Sequence, residues 1–300
     1  MKNITMVPFI KWVGGKRQVI KEIEKVWPKS FNTYYEPFIG GGAVLLHFKP
    51  KKAVINDLNK ELMNLYKVVS SQASYKRLRE LLLIMEAGHH VISDYDENKQ
   101  KNTKTSPFYK VIASMDRNSA NLNRLLSLEE ASKELKAARF IFLNKNGFNG
   151  LYRVNSSGFY NVPSKHIPTK TFDEDNIKKI SNYLNKSVDI YSGNFDDVLK
   201  NANKNDFVYL DPPYDYEKGT NGFDAYQEKG FGIKGQIKLS LVCKELDRKG
   251  VKFLLSNHDT KLIKELYGKF KIKTIKVNRL VGGKGASRKS VNEVLVMNYG

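Results

Sequence analysis

One cysteine, Cys243, is all the thiol chemistry in this chain of 300 residues. A lone thiol closes no intrachain disulfide, which fits a reducing compartment. It falls in Gln236 to Lys249, beside Leu239, Val242 and Leu246, so the spacing predicts an amphipathic helix with the thiol packed in a core rather than acting as a nucleophile. Histidine is scarce too. The five present (His47, His89, His90, His166 and His258) show no HExxH or comparable spacing, so no zinc or other metal site is expected. Long apolar runs are also missing. The first, Ile4 to Ile10, gives way to Lys11 and is too short for a signal segment. No stretch approaches the roughly 18 apolar residues that a spanning helix needs. These absences together predict a cytoplasmic chain with no membrane association.

Acidic residues are in short supply. Asp and Glu number 31 against 51 Lys and Arg, a net charge of +20 with a pI near 9.7. Plain solubility accounts for a modest basic excess, but one this large points to a polyanion, and nucleic acid is the partner that fits. A hydrophobic content of 41% is enough to build a core, and the length suggests about one to two domains.

An α/β rhythm opens near Thr33. Tyr34-Tyr35-Glu36 reads as a strand end, Gly40-Gly41-Gly42 as a turn, Ala43 to Phe48 as a helix and Ala53 to Asp57 as a strand. A second series begins near Phe172. It has a helix over Asp175 to Asn185, strands over Val188 to Tyr191 and Phe207 to Leu210, and then the helix with Cys243. Strand Val251 to Leu255, helix Lys261 to Tyr267 and strands near Ile272 to Val277 and Glu293 to Met297 complete it. Between about Tyr66 and Lys170 the strand rhythm stops, and a mostly helical insertion is expected. Its clearest helix is Glu129 to Leu143, with Ala131, Leu135, Ala138 and Phe142 on one face. Asn144 to Pro163 read as a loop in which Phe148, Tyr152, Phe159 and Tyr160 alternate with Lys145 and Arg153. Aromatic and basic side chains so mixed suit contact with bases that can be stacked or wedged, although a turn-rich connector has a similar composition.

Two phosphate-binding patterns are absent. The turn Glu36-Pro37-Phe38-Ile39-Gly40-Gly41-Gly42-Ala43 puts Leu45 where GxGxxG needs its third glycine. In Gly14-Gly15-Lys16-Arg17, Ile10 holds the first glycine position of a P-loop and Arg17 the place of its Ser or Thr. Asp57, at the end of the following strand, can accept hydrogen bonds from both hydroxyls of a ribose. A ribose site without a phosphate cradle favours S-adenosylmethionine over a dinucleotide.

The tetrapeptide Asp211-Pro212-Pro213-Tyr214 follows an apolar strand, at the carboxyl edge of a sheet where α/β ligands bind. An exocyclic amine is a poor nucleophile because its lone pair is delocalised into the ring. The Asp211 carboxylate and the Pro212 carbonyl can accept its two N–H bonds, and the prolines stiffen the turn that presents those acceptors. Tyr214 offers a face for a flipped base. Methyl transfer to such an amine requires neither metal nor covalent intermediate. Methylation at cytosine C5 would need a loop cysteine, which Cys243 is not.

In these segments the sequence resembles the Dam-like, alpha-class DNA adenine-N6 methyltransferases nearly end to end. The markers are Lys11-Trp12-Val13-Gly14-Gly15-Lys16-Arg17, Glu36-Pro37-Phe38-Ile39-Gly40-Gly41-Gly42, Asn56-Asp57, Phe148-Asn149-Gly150-Leu151-Tyr152-Arg153-Val154-Asn155 and Asp211-Pro212-Pro213-Tyr214. Their order is the family's: cofactor turn, recognition insertion, catalytic tetrapeptide. The resemblance implies a Rossmann-like S-adenosylmethionine-dependent methyltransferase sheet, residues 1–65 plus 171–300, carrying a helical DNA-recognition insertion, residues 66–170. Catalysis would fall to Asp211, Pro212, Pro213 and Tyr214. Cofactor binding would fall to Trp12, Lys16, Glu36, Phe38, Gly40, Asp57, Phe195 and Asp211.

Double-stranded DNA is the implied partner, with GATC as the family's common target. Lys11 and Arg153 would face bases, Leu151 would contact a thymine, and Phe148 and Asn149 would work at the space a flipped adenine leaves, with Asn155 beside them. A guanidinium at Arg153 can bond both acceptors of a guanine edge in the major groove. The glycine-rich segment Arg279 to Ser290 reads as a basic hairpin loop whose Lys284 and Arg288 would touch phosphate. A restriction endonuclease acting on the same site, without direct contact, is the implied companion. The chain departs from the family at Asn194, where relatives often carry aspartate, and at Ser164-Lys165-His166, which replace an aromatic-Gly-Arg-Tyr continuation. Three alternatives stay open. N4-cytosine methylation shares the amine chemistry, though Asp rather than Ser before Pro-Pro-Tyr speaks against it. An RNA adenine methyltransferase could share sheet and tetrapeptide, and a non-enzymatic DNA-binding module would show no transfer at all.

Overall fold

The structure, a computed structural model, describes residues 6–97, 107–117, 131–165, 170–215, 231–280 and 288–300. Its first half runs α1 (Ile20–Glu24), β1 (Tyr34–Glu36), α2 (Ala43–Phe48), β2 (Ala53–Ile55), α3 (Lys60–Ser70), α4 (Gln72–Glu97), α5 (Pro107–Ser114) and α6 (Lys133–Asn146). Its second half runs α7 (Glu174–Ser187), β3 (Val188–Ile190), α8 (Phe195–Leu199), β4 (Phe207–Leu210), α9 (Gly232–Arg248), β5 (Lys252–His258), α10 (Lys261–Tyr267), β6 (Lys271–Leu280) and β7 (Arg288–Met297).

Strands β1, β2 and β4 are buried at every position, as parallel strands covered on both faces must be. The seven strands form one sheet in the order β3-β2-β1-β4-β5-β7-β6. Strand β1 pairs in parallel with both β2 and β4, while β7 runs antiparallel to β5 and β6. Chain order therefore reverses between β1 and β4, and in open α/β sheets the crevice at such a switch, beyond the carboxyl ends of the strands, is where ligands bind. This is the expected α/β, Rossmann-like architecture.

The described chain divides into two compact units. The first comprises Met1–Gly15, Gly40–Lys49 and Asn59–Ile190, and the second Lys16–Ile39, Pro50–Leu58 and Tyr191–Gly300. In the second, Val208 and Leu210 of β4, Phe253 and Leu255 of β5, Val294 and Val296 of β7, and Leu239, Cys243 and Leu246 of α9 share one core. The Cys243 thiol lies inside that core, and burial raises its pKa. In the first unit α3, α4, α6 and α7 pack together. Several helix starts have the sequence signal expected of them: Asn59, Ser132, Asp173 and Thr260 each cap a helix by accepting a backbone N–H two or three residues on.

Several expected boundaries move. Helix α6 begins at Lys133 rather than Glu129 because the Ser132 side chain accepts Leu135 N–H at 3.2 Å; Glu129 and Glu130 lie outside the described residues. It also runs on to Asn146, through the first three residues of the expected loop. Strand β5 continues past Leu255 through Ser256 and Asn257, polar residues buried for reasons given below. Strands β6 and β7 reach Leu280 and Arg288, paired with one another. Arg279, Leu280 and Arg288 to Ser290 are therefore ladder residues rather than loop. Backbone bonds hold that distal end, and its polar side chains carry no alternating pattern to reveal it.

Candidate active site

Asp211 is the first residue beyond β4, so the strand delivers its carboxylate to the carboxyl edge of the second unit. Lys16, one of the few buried charged groups, places Nζ 2.7 Å from Asp211 Oδ1. Ser256 Oγ donates to the same oxygen at 3.3 Å and lies 2.9 Å from the Tyr209 hydroxyl. Burial raises the Asp211 pKa above the usual carboxylate range; the Lys16 charge pulls it back, and the Glu293 charge adds to the rise. The ammonium of Lys16 also sits 4.6 Å from the centre of the Tyr214 ring, a cation–π contact strengthened by exclusion of water. The structure thus brings Lys16, Asp211 and Tyr214 together.

The rest of the tetrapeptide is pinned from behind. Gln236 donates to Pro213 O at 2.8 Å, and Asn257 donates to Gln236 at 3.1 Å while accepting Asp215 N–H at 3.0 Å. Thr260 donates to the Asp215 carboxylate at 2.6 Å. Pro212 is buried and Pro213 exposed. Tyr214 donates its hydroxyl to Glu293 at 3.0 Å, and its ring meets His258 edge to face at 4.7 Å. Burial, with the charges of Asp211 and Glu293, pushes the Tyr214 pKa well up, so it stays a phenol. Sequence reasoning missed Ser256, Asn257, Gln236 and Glu293. The available signal was polar side chains at strand and helix positions otherwise apolar.

Also in the second unit, β1 ends on Glu36, a buried carboxylate that accepts the Tyr34 hydroxyl at 2.7 Å. Asn56 follows β2, and its amide donates to Pro37 O at 3.2 Å and Gly193 O at 2.9 Å. Gly193 N–H in turn donates to Asp57 O at 3.2 Å, so Asn56 fixes two loops around Asp57. Phe38 and Phe195 lie 5.2 Å apart, and Phe231 meets Phe38 edge to face at 5.7 Å. Strand-end carboxylates and a group of aromatic rings within one unit fit a nucleoside. Among the described residues no cluster of three or more His, Cys, Asp or Glu could hold a metal.

The first unit holds the remaining candidates. Trp12 lies near parallel to Phe140 at 6.2 Å and Tyr152 at 6.4 Å, two rings that stack on each other at 4.7 Å. Gly40 has φ +47°, and a Cβ there would lie 2.7 Å from Trp12 Cδ1, so a glycine is what lets the turn meet the indole. The Tyr66 hydroxyl holds Gly40 O at 3.0 Å. Lys11, exposed, is tied through its backbone to Asn144 on α6. Phe148 is 53% exposed, and Asn149 beside it takes φ 55° in a short turn that ends at Gly150. Leu151 follows, half-buried. Arg153 is exposed and donates to the side chain of Asn161 at 2.8 Å and to its carbonyl at 3.1 Å. Asn155 turns inward on its own loop, its side chain accepting Ser157 and Phe159 N–H at 3.0 and 2.9 Å. Lys165, one of the departures from the family pattern, has its pKa lowered by burial and by the neighbouring Lys11. Lys284 and the side chain of Arg288 lie outside the described residues.

A sheet-edge carboxylate followed by Pro-Pro-Tyr, with a lysine ammonium and a serine hydroxyl on that carboxylate, fits an amine-directed methyltransferase. The chain belongs to the D12 class N6 adenine-specific DNA methyltransferases, matched over residues 12–281. It is 38% identical to the type II methyltransferase M1.LlaDCHI of Lactococcus lactis subsp. cremoris, over 99% of this chain and 97% of that protein. It is 37% identical to the type II methyltransferase M.MjaIII of Methanocaldococcus jannaschii, over 97% and 99%. Identity to the DNA adenine methylase of Haemophilus influenzae is 30%, over 97% and 93%. The enzyme is an adenine-specific DNA methyltransferase. No helix among the described residues is long and apolar enough to cross a membrane.

Proposed function

We propose that this enzyme transfers the methyl group of S-adenosylmethionine to N6 of an adenine flipped out of duplex DNA, within GATC. The observation that carries this is the Asp211 carboxylate, held at the carboxyl end of β4 by Lys16 and Ser256 beside the Tyr214 ring. When bound, the sulfonium donor supplies an electrophilic methyl and a neutral thioether leaving group. The protein's own part is to raise the nucleophilicity of the amine. Asp211 and the Pro212 carbonyl accept its two N–H bonds, drawing the nitrogen lone pair out of the ring toward attack, and the proton the nitrogen loses as the N–C bond forms passes to the Asp211 carboxylate and on to solvent. Tyr214 stacks on the base. Fixed acceptors in a site without water need no reorganisation at the moment of transfer.

Donor binding falls to Trp12, Lys16, Glu36, Phe38, Gly40, Asp57, Phe195 and Asp211. Asp57 takes the ribose hydroxyls, and the phenylalanines take its adenine. Residues 66–170 form the target-recognition insertion on a catalytic domain of residues 1–65 and 171–300. Arg153 reads a guanine, Lys11 a further base and Leu151 a thymine methyl, while Phe148 and Asn149 fill the gap left by the adenine. Lys284 and Arg288 contact DNA phosphates, and Asn155 contacts DNA beside Phe148 and Asn149. DNA in the cytoplasm is the substrate, and a restriction endonuclease cutting the same sequence is the companion activity.

The test is to incubate unmethylated genomic DNA with the purified enzyme and methyl-labelled S-adenosylmethionine, then map the modified base. N6-methyladenine confined to GATC is the expected result. N4-methylcytosine, or transfer only to RNA, would overturn the reading, and adenine methylated in another sequence would overturn the GATC assignment alone.

A further inference from the structure

One buried amide joins the two segments that carry the candidate base contacts of the first unit. Asn144, in the last turn of α6, is 1% exposed. Its Oδ1 accepts Lys11 N–H at 2.8 Å, and its Nδ2 donates to Lys11 O at 2.8 Å and to Gly150 O at 2.8 Å. A donor facing one end of the amide and two carbonyls facing the other allow only this orientation. The amide thus gives Lys11, which lies in no helix or strand, the pair of bonds a neighbouring strand would give. With its second N–H it clamps the turn that exposes Phe148 and Asn149.

The turn closes on Lys11 from the other side as well. Asn149 and Gly150 are both left-handed, with φ 55° and 66°. A Cβ on Gly150 would sit 2.6 Å from Lys11 Cβ and Cδ. The Lys11 stem, the turn and the Asn144 amide therefore occupy one space and cannot shift separately.

We propose that Asn144 is a positioning residue for sequence readout: it sets Lys11 and the Phe148-Asn149 turn in one register, so that reading of a base and filling of the vacated stack occur together. This rests on the assignment of Lys11, Phe148 and Asn149 to DNA. An apolar side chain of the same volume would leave Lys11 N–H, Lys11 O and Gly150 O without this partner, whereas the amide satisfies all three and ties the two segments to each other. An amide that bonds two main-chain segments and leaves the exposed Lys11 head group to act outward fixes geometry.

Asn144→Asp keeps the size and the acceptor toward Lys11 N–H but turns acceptors toward Lys11 O and Gly150 O. The full-length variant, shown folded by its thermal transition, is compared with Lys11→Ala and with the double variant on duplexes carrying the mapped site or single-base-pair changes of it. The readout is the ratio of kcat/KM at the site to kcat/KM at the changed duplexes, which a merely structural defect would leave alone. Asn144→Asp and Lys11→Ala should each lower that ratio about tenfold, the scale of one good base contact, and the double variant should lose no more than either. A wild-type ratio in Asn144→Asp while Lys11→Ala loses it overturns the inference and leaves the Lys11 assignment standing, as do losses that simply multiply. A wild-type ratio in Lys11→Ala refutes the Lys11 assignment, and the inference falls with it. If Asn144→Asp does not fold, Gly150→Ala, which pushes on Lys11 from the opposite side, is judged by the same outcomes.

Discussion

Lys16 Nζ lies 2.7 Å from Asp211 Oδ1, with the two side chains only 4% and 19% accessible. A 3-10 turn at Lys16–Gln18 and the end of β4 are far apart in sequence, and the pair ties them together at the carboxyl edge of the second unit. The carboxylate must be ionised to accept an amine N–H, yet burial favours its protonated form. Lys16 is the main group that opposes burial, with the Ser256 hydroxyl beside it.

Removing that cation should therefore move the acid limb of methyl transfer to higher pH. In Lys16→Met the largest lowering influence is gone, leaving only the Ser256 hydrogen bond against the raising ones, so the Asp211 pKa rises further. Stability follows the same sign. A carboxyl whose folded pKa is raised imposes no penalty below its unfolded pKa, and the full penalty once pH exceeds the folded value. The variant should lose about 3 kcal/mol near neutrality, the low end for a broken buried pair, and recover part of it as pH falls through the carboxylate range. A pH–rate profile and melts at several pH values check both; an acid limb in its wild-type place would refute the role given to Lys16.

Gly40→Ala should disturb Trp12 before anything else. The left-handed φ of +47° and the 2.7 Å approach to Cδ1 leave no room for a methyl group. The backbone strain alone is about 1–2 kcal/mol. Since Trp12 packs against the stacked pair Phe140 and Tyr152, its displacement should shift indole emission, read in a Trp27→Phe background that leaves Trp12 as sole reporter. Calorimetry should show weaker binding of S-adenosylmethionine. An unchanged emission spectrum would mean that the turn yields without moving the indole.

Much of the second unit was legible because its strands are short apolar runs separated by turn residues. Phe207 to Leu210 and Lys261 to Tyr267 fall where the pattern puts them. Hydrophobic pattern failed where bonds rather than burial of apolar surface define the structure. Ser256 and Asn257 interrupt the apolar run of β5, although both are fully buried. The distal β6–β7 ladder is polar on both strands. The tetrapeptide was legible from its chemistry, but Glu293 and Gln236, which hold it, were not. Their partners lie far away in sequence, and a lone Glu in a strand or Gln in a helix looks like any surface residue. Asn144 escaped notice for the same reason.

Arg153→Ala should cost specificity without costing stability. The guanidinium is exposed, and its bonds to Asn161 join two residues of one loop, so water replaces them readily in the free protein. On DNA the same fork would bond a guanine edge, worth about 1–3 kcal/mol of discrimination at one position. Methylation rates on duplexes with that base pair replaced give the measurement. A variant with an unaltered preference would remove Arg153 from direct readout.

The loop that carries Arg153 should depend on a buried cation. Arg139 of α6 is 2% exposed and donates to Ile112 O at 3.0 Å, Ala113 O at 2.8 Å and Asp116 Oδ2 at 2.9 Å. That carboxylate oxygen also accepts Tyr160 N–H at 2.7 Å, while the Tyr109 hydroxyl lies 3.1 Å from that of Tyr160 and donates to Val162 O at 3.0 Å. The returning arm of the loop thus hangs on Arg139 through Asp116. Arg139→Met leaves Asp116 facing an apolar side chain and should destabilise the protein by about 3–5 kcal/mol. Arg139→Lys restores the charge but not the planar fork that reaches three acceptors, so it should recover only part. Denaturant midpoints give the stabilities, and hydrogen exchange at the Tyr160 amide reports the loop. If Arg139→Met cost under about 1 kcal/mol, an ordinary surface effect, or left that amide as protected as before, the arm would have to be held by the tyrosine pair alone.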